Sequence, residues 1–111
     1  MSYNIFTIPV FDKQLRRLSK KFSSLKKEYA ELLDKLENNP IQGKSLGRNC
    51  YKIRLAIASK GKGKSGGGRV IFHIVVSDEK VYLLTIYDKS EKENLTDKEL
   101  DELLKQISET E

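Results

Sequence analysis

Acid is missing from the middle of this chain: from Asn38 to Ser77 there are eight lysines and arginines and not one aspartate or glutamate. Tryptophan is absent, and cysteine and histidine occur once each. A lone Cys50 excludes an internal disulfide, and with His73 as the sole imidazole the chain lacks the ligand set of a structural zinc site. Cys50 is therefore expected to be a small buried strand residue. Long apolar runs are also missing. The longest, near Val70 to Val76, falls far short of the roughly 20 residues of a spanning helix, and the N-terminus lacks a signal-peptide hydrophobic region, so the expected compartment is the cytoplasm, with no membrane partner. At 111 residues without repeats or internal boundaries, the chain has room for one modest core. A single domain over residues 1–111 is expected, with any substrate bound on a face or in a shallow groove.

Hydrophobic residues make up 38% of the chain and charged residues 33%, a balance that suits a soluble globular domain. The net charge of +5 is unevenly spread: residues 1–37 contribute +3, residues 38–77 contribute +8 and residues 78–111 contribute −6. A cationic island interleaved with strand-like apolar residues points to an anionic partner, nucleic acid ahead of a membrane surface or an acidic protein. The acidic C-terminal segment is expected to balance this charge rather than to cover the basic face.

Tyr3 to Ile8 mixes aromatic and β-branched residues and stops at Pro9, which suits a first strand. Phe11, Leu15, Leu18 and Phe22 recur at helical spacing with Asp12 as a candidate cap, and Leu25, Tyr29, Leu32, Leu33 and Leu36 make a second stripe after Ser23 and Ser24. These two stripes predict an antiparallel helical hairpin. From Cys50 to Ala58, Tyr51, Ile53, Leu55 and Ile57 alternate with Lys52, Arg54, Ala56 and Ala58, the pattern of a half-buried strand with two outward cations. Strands at Arg69 to Val76 and Val81 to Tyr87 are joined by a short polar connection. Thr96 and Glu99 form a capping box ahead of Leu100, Leu103, Leu104 and Ile107, which predicts a short C-terminal helix. The order β, α, α, β, β, β, α specifies an α+β fold with a largely antiparallel sheet, helices mainly on one face and the other face partly open.

Ala58-Ser-Lys-Gly-Lys-Gly-Lys-Ser65 satisfies the relaxed pattern of a phosphate-binding P-loop. Such a loop works through the N-terminus of a following helix, whereas here Gly66-Gly67-Gly68 leads into a β-branched strand. The segment is better read as a cationic loop in which Lys60, Lys62 and Lys64 give salt-dependent, sequence-independent contacts to RNA phosphates.

Pairing the strand of Lys52 and Arg54 with those of Arg69 and Tyr87 would gather three cations and a phenol on one face, with Lys89 and Lys92 close by. Positioned cations can stabilise a phosphorane-like transition state without a metal, and no cofactor is called for. RNA supplies its own nucleophile, the 2′-OH, so the protein need only align it, help remove its proton and stabilise the leaving oxygen. Metal-dependent chemistry needs clustered carboxylates, of which Asp88, Glu91 and Glu93 are the weak exception. His73 sits in an apolar strand, where packing is the ordinary role of a histidine. It is kept with Lys92 among the residues expected to contact RNA. Neighbouring cations lower the pKa of lysine and tyrosine alike, which leaves Lys52 and Tyr87 both open as the base. For Tyr87, packing at the sheet end and stacking on a base are the other roles.

Cys50-Tyr-Lys-Ile-Arg54, Arg69-Val-Ile-Phe72 and Tyr87-Asp-Lys-Ser-Glu91 resemble the RelE/ParE toxin superfamily. The Lys-Ser-Gly-Gly-Gly-Arg-Val-Ile and Leu-Leu-Thr-Ile-Tyr-Asp-Lys runs are most similar to HigB-type members, and the likeness covers nearly the whole chain. The resemblance implies a toxin of a type II toxin–antitoxin pair that enters the ribosomal A site, contacts mRNA and ribosomal RNA there, and cleaves the mRNA during translation. It also implies a cognate antitoxin, often of helix-turn-helix type. Carried over by motif, the paired basic positions fall on Lys52 and Arg54, the arginine at the scissile phosphate on Arg69, and the basic residue after the last strand on Lys89. Ser90 stands where RelE-type members have a second arginine, and Thr96 aligns with their C-terminal tyrosine. Two other readings stay open: a ParE-like poison of DNA gyrase, and an RNA-binding module without catalysis.

Overall fold

The computed structural model describes residues 2–61 and 66–110. Strand β1 (Asn4–Thr7) runs into helix α1 (Pro9–Lys21), which turns back through α2 (Leu25–Asn38). Four further strands follow, β2 (Lys44–Gly47), β3 (Cys50–Leu55), β4 (Gly68–Val75) and β5 (Lys80–Asp88), and α3 (Asp97–Thr110) closes the chain. The five strands form one sheet in the order β1-β5-β4-β3-β2, antiparallel except that β1 lies parallel to β5 with Asn4 opposite Lys80. The expected α+β layout holds. None of the described helices is long and apolar enough to cross a membrane.

Burial follows the predicted stripes. Phe11 and Leu18 of α1 and Leu25, Leu32 and Leu36 of α2 share one core with Phe72, Ile74, Leu83 and Ile86 of the sheet. Where β1 stops, α1 finishes the sheet edge: Gln14 Oε1 accepts hydrogen bonds from the Ile86 amide at 3.0 Å and from Thr85 Oγ1 at 2.9 Å. An amide that would otherwise be orphaned at the end of the β1 pairing is thus satisfied by a side chain.

Four details differ from the sequence reading. Helix α1 starts at Pro9, with Ile8 as its extended N-cap, because proline needs no amide partner in a first helical turn, so Asp12 lies within that turn instead of capping it. Strand β2 was not foreseen. It is four residues long and polar, and follows from a tight turn in which Arg48 and Asn49 both take positive φ, of 53° and 58°, a pairing geometry whose twist suits a two-residue hairpin. Strand β3 stops at Leu55, and the chain then makes a short helical turn at Ala58–Lys60. Helix α3 has 14 residues, as many as α2, so it is not short.

Helix α3 also does more than balance charge. Leu100 and Leu103 are buried, Leu103 gathers with Leu95 and Glu99 around Thr85 of β5, and Asp101 pairs with Arg48 at the β2–β3 turn. Its capping box forms as expected, Thr96 Oγ1 accepting from the Glu99 amide at 3.1 Å and Glu99 Oε1 accepting from the Thr96 amide at 3.0 Å.

Candidate active site

Directly opposite residues of antiparallel strands project to the same face of a sheet. Arg54 of β3 is opposite Arg69 of β4, which is opposite Tyr87 of β5, so these three make one row across the sheet. In the next row Lys44 of β2 faces Lys52 of β3. Two like-charge pairs therefore sit side by side, an arrangement that costs stability in a sheet and is relieved by an anion. Thr85 belongs to the same face through its pairing with Ile71, so α3 covers part of this face and leaves the cationic end open.

That open end is a groove of about 490 Å³ lined by Lys44, Lys52, Arg54, Arg69 and Lys89, with Gly43, Ile53, Glu93 and Asn94 completing it. Arg69 forms its rigid floor: the residue is 4% exposed and its guanidinium donates to the Gly68 carbonyl at 3.0 Å. Lys89 is delivered by its backbone, whose amide donates to the Gly67 carbonyl at 3.1 Å. Residue 67 must be glycine for this to happen, since a Cβ there would stand 2.3 Å from the Leu55 carbonyl oxygen. Burial, and then the charges of Lys44, Arg69, Lys89 and Arg54, hold the Lys52 ammonium below the ordinary lysine pKa, which makes it readier to release its proton.

The structure brings together Lys52, Arg54, Arg69 and Lys89 of the expected residues, whereas Tyr87, Lys60, Lys92 and His73 do not line the groove. Tyr87 shares the row, but it is 5% exposed, and burial raises its pKa against the opposing charge of Arg69, which disfavours its ionisation to a base. Lys60, expected to contact RNA, does not line the groove. Its side chain is drawn inward to an ion pair with the buried Asp88, and it also donates to the Gly66 carbonyl at 2.7 Å and to Ser90 Oγ at 3.3 Å. Asp88 in turn accepts from the Ser90 amide at 3.0 Å and Ser90 Oγ at 2.8 Å, so Ser90 is committed to this cluster. Lys62 and Lys64 lie outside the described residues.

Lys92 is paired with Glu99, which, with the Thr96 amide, pulls the Glu99 carboxyl down to about 2. His73 lies four residues beyond Arg69 on β4, about 13 Å at strand spacing. Its Nδ1 is 3.5 Å from Cys50 Sγ, and burial lowers its pKa. Cys50 is fully buried, as expected, and burial pushes its thiol up to about 11. Lys44, Glu93 and Asn94 were not singled out in the sequence as groove residues. Lys44 belongs to the acid-free stretch, but its strand has no hydrophobic alternation to mark it. Among the described residues no three His, Cys, Asp or Glu side chains gather as a metal site would need.

A family model described as the RelE toxin of the RelE/RelB toxin–antitoxin system matches residues 5–110. A mutant E. coli RelE toxin in the free state superposes with a TM-score of 0.66 at 19% identity, covering 96% of this chain and 99% of that one. A chain of the intact E. coli RelBE toxin–antitoxin complex gives 0.62 at 20% identity over 78% of this chain and 96% of that one. A toxin–antitoxin complex from Mycobacterium tuberculosis, RelBE2, gives 0.58 at 16% identity over 79% and 92%.

Proposed function

The chain belongs to the RelE toxin family, and from that membership and the cationic groove we propose that it is a ribosome-dependent, metal-independent endoribonuclease that cleaves mRNA in the ribosomal A site. The observation that carries this reading is the pair of like-charge contacts, Lys44 with Lys52 and Arg54 with Arg69, gathered over one groove. A sheet tolerates such repulsion where a polyanion fills it.

In the proposed reaction the 2′-OH attacks the adjacent phosphorus and the bond to the 5′ oxygen breaks, giving a 2′,3′-cyclic phosphate and a 5′-OH. Arg69, fixed by burial and by its bond to Gly68, and Arg54 beside it supply donors to the phosphorane oxygens, where charge develops. Lys52 hands its proton to the departing 5′ oxygen, a step favoured by its lowered pKa. Lys44 and Lys89 hold the flanking phosphates. The antitoxin, of helix-turn-helix type in this reading, blocks the toxin.

Primer extension on a defined mRNA tests the reading, with the protein added to naked RNA in EDTA and, separately, to a magnesium-containing translation extract. Codon-spaced cuts only during translation, lost in Lys52→Ala and Arg69→Ala, are the expected result. A folded, antitoxin-free protein that leaves both RNAs whole refutes it.

A further inference from the structure

Cleavage by 2′-OH attack needs a group that takes a proton as well as one that gives one. Arginine stays protonated and an asparagine amide is not basic, while a lysine accepts a proton only as the neutral amine, and in the reading above Lys52 is the proton donor and Lys44 and Lys89 hold phosphates as ammonium groups. Of the side chains lining the groove, Lys44, Lys52, Arg54, Arg69, Lys89 and Asn94 are thereby accounted for, and Ile53 has no polar atom. Glu93 alone is left.

Of the acids near Glu93 in sequence, Asp97 lies outside the groove lining and four others are engaged. Asp88 is paired with Lys60, Glu91 with Arg17, Glu99 with Lys92 and Asp101 with Arg48. Glu93 is exposed and forms no hydrogen bond or ion pair among the described residues, although it borders the most cationic part of the molecule. A carboxylate kept out of ion pairs at that place is available to substrate. We propose that Glu93 is the general base, accepting the proton of the 2′-OH as that oxygen attacks phosphorus, while Lys52 protonates the 5′ oxygen. This rests on the nuclease reading above. The step balances: the carboxylate becomes a carboxylic acid, the Lys52 ammonium becomes an amine, and one phosphorus–oxygen bond replaces another.

The experiment is single-turnover cleavage of a ribosome-bound mRNA across a pH series by wild type, Glu93→Gln, Glu93→Asp, Glu93→Ala and the control Glu91→Gln. Glu93→Gln is expected to lose about 10²- to 10⁴-fold in rate, to retain the wild-type Tm, and to lose the decline in rate toward acid pH. Glu93→Asp recovers part of the rate, added formate rescues Glu93→Ala, and Glu91→Gln cuts like wild type. A folded Glu93→Gln with an undiminished rate and an unchanged pH profile overturns the assignment and leaves the nuclease reading intact. Wild type that cuts nothing removes the nuclease reading and this assignment together.

Discussion

Arg69 and Tyr87 lie directly opposite each other across β4 and β5, yet the guanidinium borders the groove while the phenol oxygen is sealed in with no hydrogen-bond partner among the described residues. A buried hydroxyl left unbonded costs about 1–3 kcal/mol. Tyr87→Phe is therefore expected to hold or raise stability, by up to about 1 kcal/mol, and to leave cleavage within about twofold. Arg69→Lys, which keeps a charge but loses the planar fork, is expected to cut about 10²-fold more slowly. Urea denaturation and translation-extract cleavage of the two variants check both halves; a Tyr87→Phe enzyme as slow as Arg69→Lys would return the phenol to the chemistry.

Asp88 gives the fold a dependence on pH. Burial alone would raise its pKa, but hydrogen bonds from Lys60 and from the amide and hydroxyl of Ser90 outweigh it and hold the carboxyl below the usual aspartate range. A carboxyl depressed in the folded state contributes stability above its unfolded pKa of about 3.9, and that stability is lost as pH falls through the folded value. Asp88→Asn is expected to cost about 3–5 kcal/mol near neutrality, since it strands Lys60 beside the buried site. The difference from wild type should shrink in denaturation curves taken at progressively lower pH. An equal gap at all pH values would show that Asp88 is not charged in the fold.

The groove predicts a salt signature. Arg54 is exposed at its rim, so Arg54→Ala is expected to leave the fold intact and weaken binding to a short single-stranded RNA. The slope of log affinity against log salt should become shallower by about 0.7–1, the value of one lost phosphate contact. Titrations by fluorescence anisotropy at several salt concentrations measure it, and an unaltered slope would place the phosphates elsewhere.

Gly43 ties backbone to chemistry. It holds a φ of +82°, and a Cβ there would stand 2.3 Å from the carbonyl oxygen of Lys52. Gly43→Ala is expected to cost at least about 1–3 kcal/mol through strain at that φ and to displace Lys52, so that Tm and cleavage rate fall together. Retention of either at the wild-type level would mean that β2 shifts freely without disturbing the groove.

Much of this architecture could be read from residue periodicity, because the helices and the central strands each bury one face. The stripes of Phe11 to Phe22 and Leu25 to Leu36, and the alternation after Cys50, all reappear as core. Strand β2 escaped because a four-residue polar edge carries no such alternation, and its existence depends on two residues at positive φ. The cations Lys52, Arg54, Arg69 and Lys89 were legible as charges on strands, and pairing register brought them together. What sequence could not distinguish was direction: Lys60 resembled any loop lysine until Asp88, 28 residues later, drew it inward. Glu93 was hidden for the opposite reason, since only the folded connector places it beside cations distant in sequence.

The parallel contact between β1 and β5 sets a timetable for folding. Asn4 through Thr7 are made well before their strand partners, Lys80 through Leu83, and the sheet order gives β1 no other neighbour. Long-range pairing of this kind slows folding, because most of the chain must be gathered before the contact can form. The groove keeps the same schedule, its lining running from Gly43 to Asn94. A nascent chain therefore carries an unpaired edge strand until β5 has been synthesised and an unfinished groove until Asn94 has followed, and any truncation before β5 leaves β1 without its partner.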